Sequence, residues 1–180
     1  MKYYISDLHL GHQNVLRFDS RPFETLDEMH SEVIRRWNAA VSPEDEVYIL
    51  GDFAWKNSVG DEVFSQLTGR KYLILGNHDK PSPLLRDTCV WIKEYAVIED
   101  AGIMVVLNHY PIANWYGQFR GAVHLYGHVH NNPDAALFRQ YLELLRENGM
   151  PAAAYNVGCM MPYMDYTPRT LTQLQDSVQE

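Results

Sequence analysis

Five short runs rich in Val, Ile, Leu and Tyr break up the first 130 residues, and each stops at a polar cluster. Residues 3–5 lead into Ser6-Asp7-Leu8-His9, 47–50 into Gly51-Asp52, and 72–75 into Gly76-Asn77-His78-Asp79. Residues 104–107 lead into Asn108-His109, and 123–126 into Gly127-His128-Val129-His130. Apolar runs of this length without alternation suit strands covered on both faces. In open α/β sheets ligands collect beyond the carboxyl ends of the strands. Five polar clusters in that position predict one shared site.

Helices fill several gaps. Thr25-Leu26-Asp27-Glu28 is a capping-box start, and Leu26, Met29, Val33, Trp37 and Ala40 then recur at spacings of three and four, which predicts an amphipathic helix from 26 to about 41. A shorter helix is expected over 61–67, ending near Gly69. A third is expected over 134–148, with Ala136, Leu137, Tyr141, Leu144 and Leu145 on one face and Gly149 and Pro151 as stop signals. It reads as an inserted lid or oligomer contact, or as an outer structural helix. Two β-rich runs flank Glu99-Asp100-Ala101-Gly102, which predicts a hairpin, an antiparallel pair and therefore mixed sheets. Residues 154–157 form a late strand, and the chain from 171 is a weakly specified tail. With no repeat, low-complexity tract or linker, residues 1–180 read as one layered α/β domain.

Composition narrows the function. A hydrophobic content of 46% over 180 residues allows a substantial core. The formal net charge of −8 disfavours an extended nucleic acid as partner, because phosphate neutralisation needs surplus Lys and Arg. A small phosphorylated substrate remains compatible, since bound cations would make the site locally positive. Cys89 and Cys159 are isolated and form no CxxC pair. Neither a leader pattern nor an apolar stretch of about 18 residues is present, so the expectation is a cytoplasmic protein without a membrane partner. Nothing in the pattern specifies an oligomeric state.

Asp7, His9, Asp52, Asn77, His109, His128 and His130 offer nitrogen and oxygen donors and no sulfur. Such a set suits manganese first, then iron, zinc, cobalt or nickel, and is poor for calcium. Seven donors exceed one tetrahedral site. They match two ions that share a carboxylate.

In order, Asp7-x-His9, Gly51-Asp52, Gly76-Asn77-His78-Asp79, His109 and Gly127-His128-x-His130 resemble the signature of the calcineurin-like metallophosphoesterase superfamily, in particular its small stand-alone bacterial or phage members. The resemblance implies a four-layer α/β/β/α fold: two mixed β-sheets packed as a sandwich, with helices on the outer faces. It implies that Asp7, His9 and His130 hold one ion, that Asp52 bridges, and that Asn77, His109 and His128 hold the second. His78 would contact the phosphate or protonate the leaving oxygen, with Asp79 orienting it. Physics favours these roles, because water between two cations loses its proton near neutral pH and the same cations offset charge on the phosphoryl oxygens.

The expected activity is hydrolysis of a phosphomonoester or phosphodiester of a small molecule or nucleotide by a hydroxide bridging two metals. The rivals are a nuclease of the same fold, which should carry an added basic surface, and a non-catalytic scaffold, which should show broken donor blocks. His12 and Arg120 are candidate substrate contacts. Arg17, Arg21 and Arg36 read as solvated or packed against a helix, and His30 and His124 as non-catalytic. Asn114-Trp115-Tyr116 either lines a pocket for a ring or packs under its loop. Met160-Met161 carries no functional reading.

Overall fold

The apolar runs become the strands. The computed structural model describes residues 1–177. One sheet is built from β1 (Lys2–Ile5), β2 (Glu46–Leu50), β3 (Arg70–Ile74) and β4 (Ile92–Lys93), in that order. The second contains β5 (Tyr95–Asp100), β6 (Ile103–Asn108), β7 (Val123–Tyr126) and β8 (Ala154–Asn156). The fold is thus α/β with two four-stranded sheets. The second sheet is mixed: β5 and β6 pair antiparallel through a two-residue turn in which Ala101 and Gly102 both have positive φ, and the other pairs are parallel. The first is parallel in every strand pair, and its only antiparallel contact among the described residues is an edge bridge between Tyr4 and Arg169.

Period-two alternation separates the faces of the second sheet. Val105, Leu107, Val123 and Leu125 join the main core, in which the first sheet buries consecutive residues such as Tyr4 and Ile5 or Tyr48 and Ile49. Val106 and Tyr126, on the opposite face, pack into a second core with α5 (Pro133–Glu147). Tyr4, Tyr48 and Tyr72 are register neighbours whose rings stack at 5.6 and 4.5 Å. The Tyr4 hydroxyl donates to Asp100 Oδ2 at 2.8 Å, tying β1 to the second sheet.

The helices depart from expectation in instructive ways. Helix α2 (Leu26–Ala40) forms half of the expected capping box, with Thr25 accepting from the Glu28 N–H while the Glu28 carboxylate takes the Glu24 N–H, and it buries Met29, Val33 and Trp37. Before it lies a single turn, α1 (Val15–Phe18), which the sequence pattern did not show. Helix α3 spans Asn57–Phe64 rather than 61–67. Gly60 hid its first turn, and it is tolerated because the Ala54 Cβ packs where a larger residue would sit. A further short helix, α4 (Pro83–Thr88), follows a Ser82 cap. Helix α5 buries Ala135, Phe138, Leu142 and Leu145, whereas Leu137 and Leu144 are exposed. Two adjacent apolar stripes run along it, and the second core selected the other one. It is an outer structural helix of the second sheet. The expected tail forms α6 (Leu171–Asp176), opened by a Thr170–Gln173 capping box. Cys159, Met161 and Met164 are buried in the main core, and neither cysteine is in a disulfide. No described helix is long and apolar enough to cross a membrane.

The two sheets meet at their carboxyl ends. Ser6, just past β1, bridges in parallel to Gly158, just past β8, and its N–H donates to Val157 O at 2.8 Å. The His9 N–H donates to Asp52 O at 2.9 Å, joining the first two polar loops.

Candidate metal centre

Candidate ligand atoms of Asp7, His9 and His130 lie within 4.8 Å of one another, and so do those of Asp52, His109 and His128. The two triads adjoin. Asp52 Oδ2 stands 3.6 Å from His9 Nε2 and 3.5 Å from His109 Nε2, one oxygen facing a nitrogen of each. Asn77 Oδ1 joins the second group at 3.2 Å from His109 Nε2. All seven predicted donors therefore come together from loops up to 123 residues apart in sequence.

The loops hold these residues in costly conformations. Asp7, His9, Asp52, His128 and His130 all have positive φ, between 38° and 69°. For residues with a Cβ this region costs of order 1–3 kcal/mol each and clusters at functional sites. Two motif glycines are required by close approach: a Cβ on Gly76 would overlap the Asp52 carboxylate, and one on Gly127 the Asp7 carboxylate.

The chemistry of the donors fits a cation. His109 Nδ1 lies 2.8 Å from Leu50 O, and a carbonyl only accepts, so Nδ1 carries the proton. In neutral His109 the Nε2 lone pair then faces Asn77 Oδ1 and Asp52 Oδ2, an assembly of acceptors with nothing to donate. His9 Nε2 and His130 Nε2 approach to 3.1 Å, and Asp7 Oδ1 lies 3.4 Å from His130 Nε2. These are the ligand–ligand separations of about 3.0–3.4 Å that bonds of about 2.1 Å to one ion produce. Protonation follows the same demand for positive charge. Burial alone would lower His130, but hydrogen bonds to Asp19 and Asp7 push it up to about 9. Burial likewise opposes a charge on His109, yet the Asp52 and Asp7 carboxylates raise it. Burial dominates at His9 and pushes it down to about 4 against the pull of Asp7 and Asp52. For Asp52, burial is outweighed by His109, the His78 N–H and His9, leaving it lowered to about 2.

A second layer supports the donors. The Ser6 hydroxyl donates to Asp7 Oδ2 at 2.6 Å, and the His128 N–H lies 3.1 Å from both Asp7 oxygens. Asp19 Oδ1 is 2.7 Å from His130 Nδ1, a carboxylate–imidazole pair that fixes ring orientation and raises ligand basicity. Arg21, read from sequence as solvated or helix-packed, is instead buried. It donates to Asp19 Oδ2, to Asp7 O and to Leu8 O. Neither Asp19 nor Arg21 sits in a recognisable motif, so no local signal marked them.

Other expected site residues fall differently. His78 is exposed beside the donors, its N–H donating to Asp52 Oδ1 at 3.0 Å. The Asp79 carboxylate does not hydrogen-bond the His78 ring. It accepts the N–H groups of Asp52, Phe53 and Gly76, tying two donor loops together. His12 lines the cavity over the donors, with its ring 4.4 Å from that of Trp55. Arg120 does not line that cavity. It lies exposed on a 3-10 turn before β7, its guanidinium 5.1 Å over the Tyr116 ring. The cause is topological: the loop feeding β7 is at the amino end of the strand, and the donors are at the carboxyl end. Trp115 is buried in the second core and donates to Ala122 O, so that aromatic segment packs under its loop. His30 accepts the Gly11 N–H and His124 the Ile112 N–H. The aromatics that do line the cavity are Phe18 and Trp55.

Two adjoining donor triads beyond the strand ends of this α/β protein are arranged as a candidate centre for metal ions. The sequence profile of calcineurin-like phosphoesterases matches residues 3–147, and the chain belongs to that family. An uncharacterised protein of Methanocaldococcus jannaschii is 34% identical over 133 residues, covering 72% of this chain and 69% of that one. The Gene 66 protein of Mycobacterium phage L5 is 28% identical, over 72% of this chain and 77% of its own. A solved protein of unknown function from Aquifex aeolicus shares the fold, with a TM-score of 0.73, 24% identity and 98% coverage of each chain. Family and triads together support metal-dependent phosphoester hydrolysis as the general activity.

Proposed function

We propose that the protein is a dinuclear metallophosphoesterase that hydrolyses a phosphomonoester or phosphodiester of a small molecule, in a single cytoplasmic domain. One observation carries the reading: Asp52 Oδ2 faces an imidazole nitrogen of each triad at 3.6 and 3.5 Å. Asp7, His9 and His130 would hold one ion, Asn77, His109 and His128 the other, with Asp52 shared. Manganese is our first choice among the ions this oxygen and nitrogen set can hold, with iron, zinc, cobalt and nickel as the others. When bound, two such ions acidify water and offset the charge growing on phosphoryl oxygens.

The chain's own groups do the rest. His78 holds a proton on a ring nitrogen for the departing ester oxygen, and its N–H bond to Asp52 keeps the ring beside the donors. Asp19 and Leu50 O hold the His130 and His109 rings so that Nε2 points inward. His12 stands on the cavity wall as a phosphoryl contact. A cavity of about 360 Å³ over the donors suits a small substrate.

The test is Asp52→Asn. Metal content should fall from two Mn²⁺ per chain to one or fewer, and turnover of aryl phosphate esters should drop about 10²-fold or more. Two ions retained with wild-type turnover would remove Asp52 from the bridge and the dinuclear reading with it.

A further inference from the structure

The cavity over the donors has an apolar wall that phosphate chemistry alone does not call for. Trp55 is 48% exposed and Phe18 70% exposed, and both line it. The backbone of Trp55 is held by its N–H bond to Leu10 O at 2.9 Å, and its ring leans on those of His12 and His78 at 4.4 and 4.9 Å. A half-exposed indole placed beside the candidate donors by two neighbouring rings offers a stacking surface for a planar ring.

A second cavity of about 540 Å³ adjoins the first, sharing Trp55, Asn77 and His78 with it. Its other walls include Lys56 and Lys80. Both are exposed, and among the described residues neither has a carboxylate within ion-pair distance. On a chain with net charge −8, two unpaired lysines in one hollow form a local positive field. Around Trp55, the molecule therefore offers an esterase-type donor set on one side and an anion-attracting hollow on the other.

We infer that the substrate is a nucleotide carrying a second phosphate: the scissile ester lies at the His and Asp donors, the base stacks on the exposed part of Trp55, and the other phosphate lies between Lys56 and Lys80. This rests on the hydrolase reading above and adds a substrate class to it. Hydrolysis adds water across one P–O ester bond; the oxygen of water joins phosphorus, and the ester oxygen leaves as an alcohol carrying a proton. The second phosphate is retained on the product.

The experiment compares adenosine 3′,5′-bisphosphate, adenosine 5′-monophosphate and p-nitrophenyl phosphate on the full chain loaded with Mn²⁺. Tryptophan fluorescence is followed alongside turnover. The bisphosphate should quench emission in the wild type, and Trp55→Leu, which keeps bulk without a π-face, should weaken its binding roughly 10- to 100-fold. Trp55→Phe should recover most of it. The bisphosphate-to-monophosphate ratio of kcat/KM should exceed about 10 and collapse toward one in the Lys56→Ala/Lys80→Ala double variant, and added salt should erode it. Hydrolysis of the aryl ester with no bisphosphate preference and no Trp55-dependent quenching would overturn the inference while leaving the hydrolase intact. Trp55-dependent quenching in a protein that hydrolyses none of the three would uphold the subsite and sink the hydrolase reading instead.

Discussion

Asp79 Oδ2 accepts the backbone N–H of Asp52 at 2.8 Å and that of Gly76 at 2.8 Å, so one carboxylate clamps the loop after β2 to the loop after β3. Its other oxygen takes the Phe53 N–H at 2.9 Å. Asp79→Ala should therefore act on architecture. Three amide donors lose their acceptor, at about 1–3 kcal/mol for each left unsatisfied, so a loss of at least about 3 kcal/mol is expected in chemical denaturation. Metal affinity should weaken about 10- to 100-fold. Wild-type stability and metal content with reduced turnover would restore Asp79 to an orienting role on His78.

Asp19 links the candidate centre to the buried Arg21. Asp19→Asn removes the charge that pairs with His130 Nδ1 and with the guanidinium at 2.8 Å. Retention of Mn²⁺ in the first triad should fall about 10- to 100-fold in a competitive chelator titration. Stability should fall too, since a buried cation is left with carbonyl partners only. An unchanged chelator midpoint would show that Asp19 serves only to seat Arg21.

His78 hydrogen-bonds the donor set through its backbone, while its ring meets that of His9 edge-on at 5.7 Å. His78→Ala should keep both metals and cut turnover about 10²- to 10⁴-fold, the usual range for a lost proton donor. The loss should be smallest for esters with an acidic leaving group such as p-nitrophenol, which departs without help. Metal loss in this variant would place His78 among the ligands.

A pH effect on stability is expected from His124, far from the donors in role. Its Nδ1 faces Val106 O at 3.2 Å and its Nε2 accepts the Ile112 N–H at 3.1 Å. Burial pushes its pKa down to about 4, only partly opposed by the Val106 and Tyr110 backbone, and the Ile112 N–H needs an unprotonated Nε2. The folded state thus keeps His124 neutral where the unfolded chain, titrating near 6.5, takes up a proton. Stability is full above pH 6.5 and falls with pH until about 4, approaching about 1.4 kcal/mol per pH unit for this one group. Denaturation at pH 7, 6 and 5 should show His124→Gln less stable at pH 7 but with a shallower acid limb. Parallel limbs would remove His124 as the titrating group.

The candidate donors were legible in sequence because each follows closely on an apolar strand, and strand, tight turn and polar side chain are all local features. Asp7, Asp52, Asn77, His109, His128 and His130 were visible in this way, and the hairpin at Ala101-Gly102 was legible for the same reason. Arg120 misled because proximity in sequence to a site strand says nothing about which end of that strand is meant. The stripe on α5 misled because apolar residues occupy two neighbouring faces, and rotation about the helix axis is decided by what the helix packs against.

The sequence by itself determined the strand runs and marked seven nitrogen- and oxygen-bearing side chains as candidate donors, because these follow from side-chain chemistry and from periodicities of a few residues. Tertiary structure alone decided that Asp52 faces both triads, that Asp19 and Arg21 stand behind His130, that Asp79 clamps two loops and that Trp55 walls the cavity. Those relations join residues brought together only when two sheets meet at their carboxyl ends. No local pattern encodes a contact whose partners are set by the packing of the whole chain.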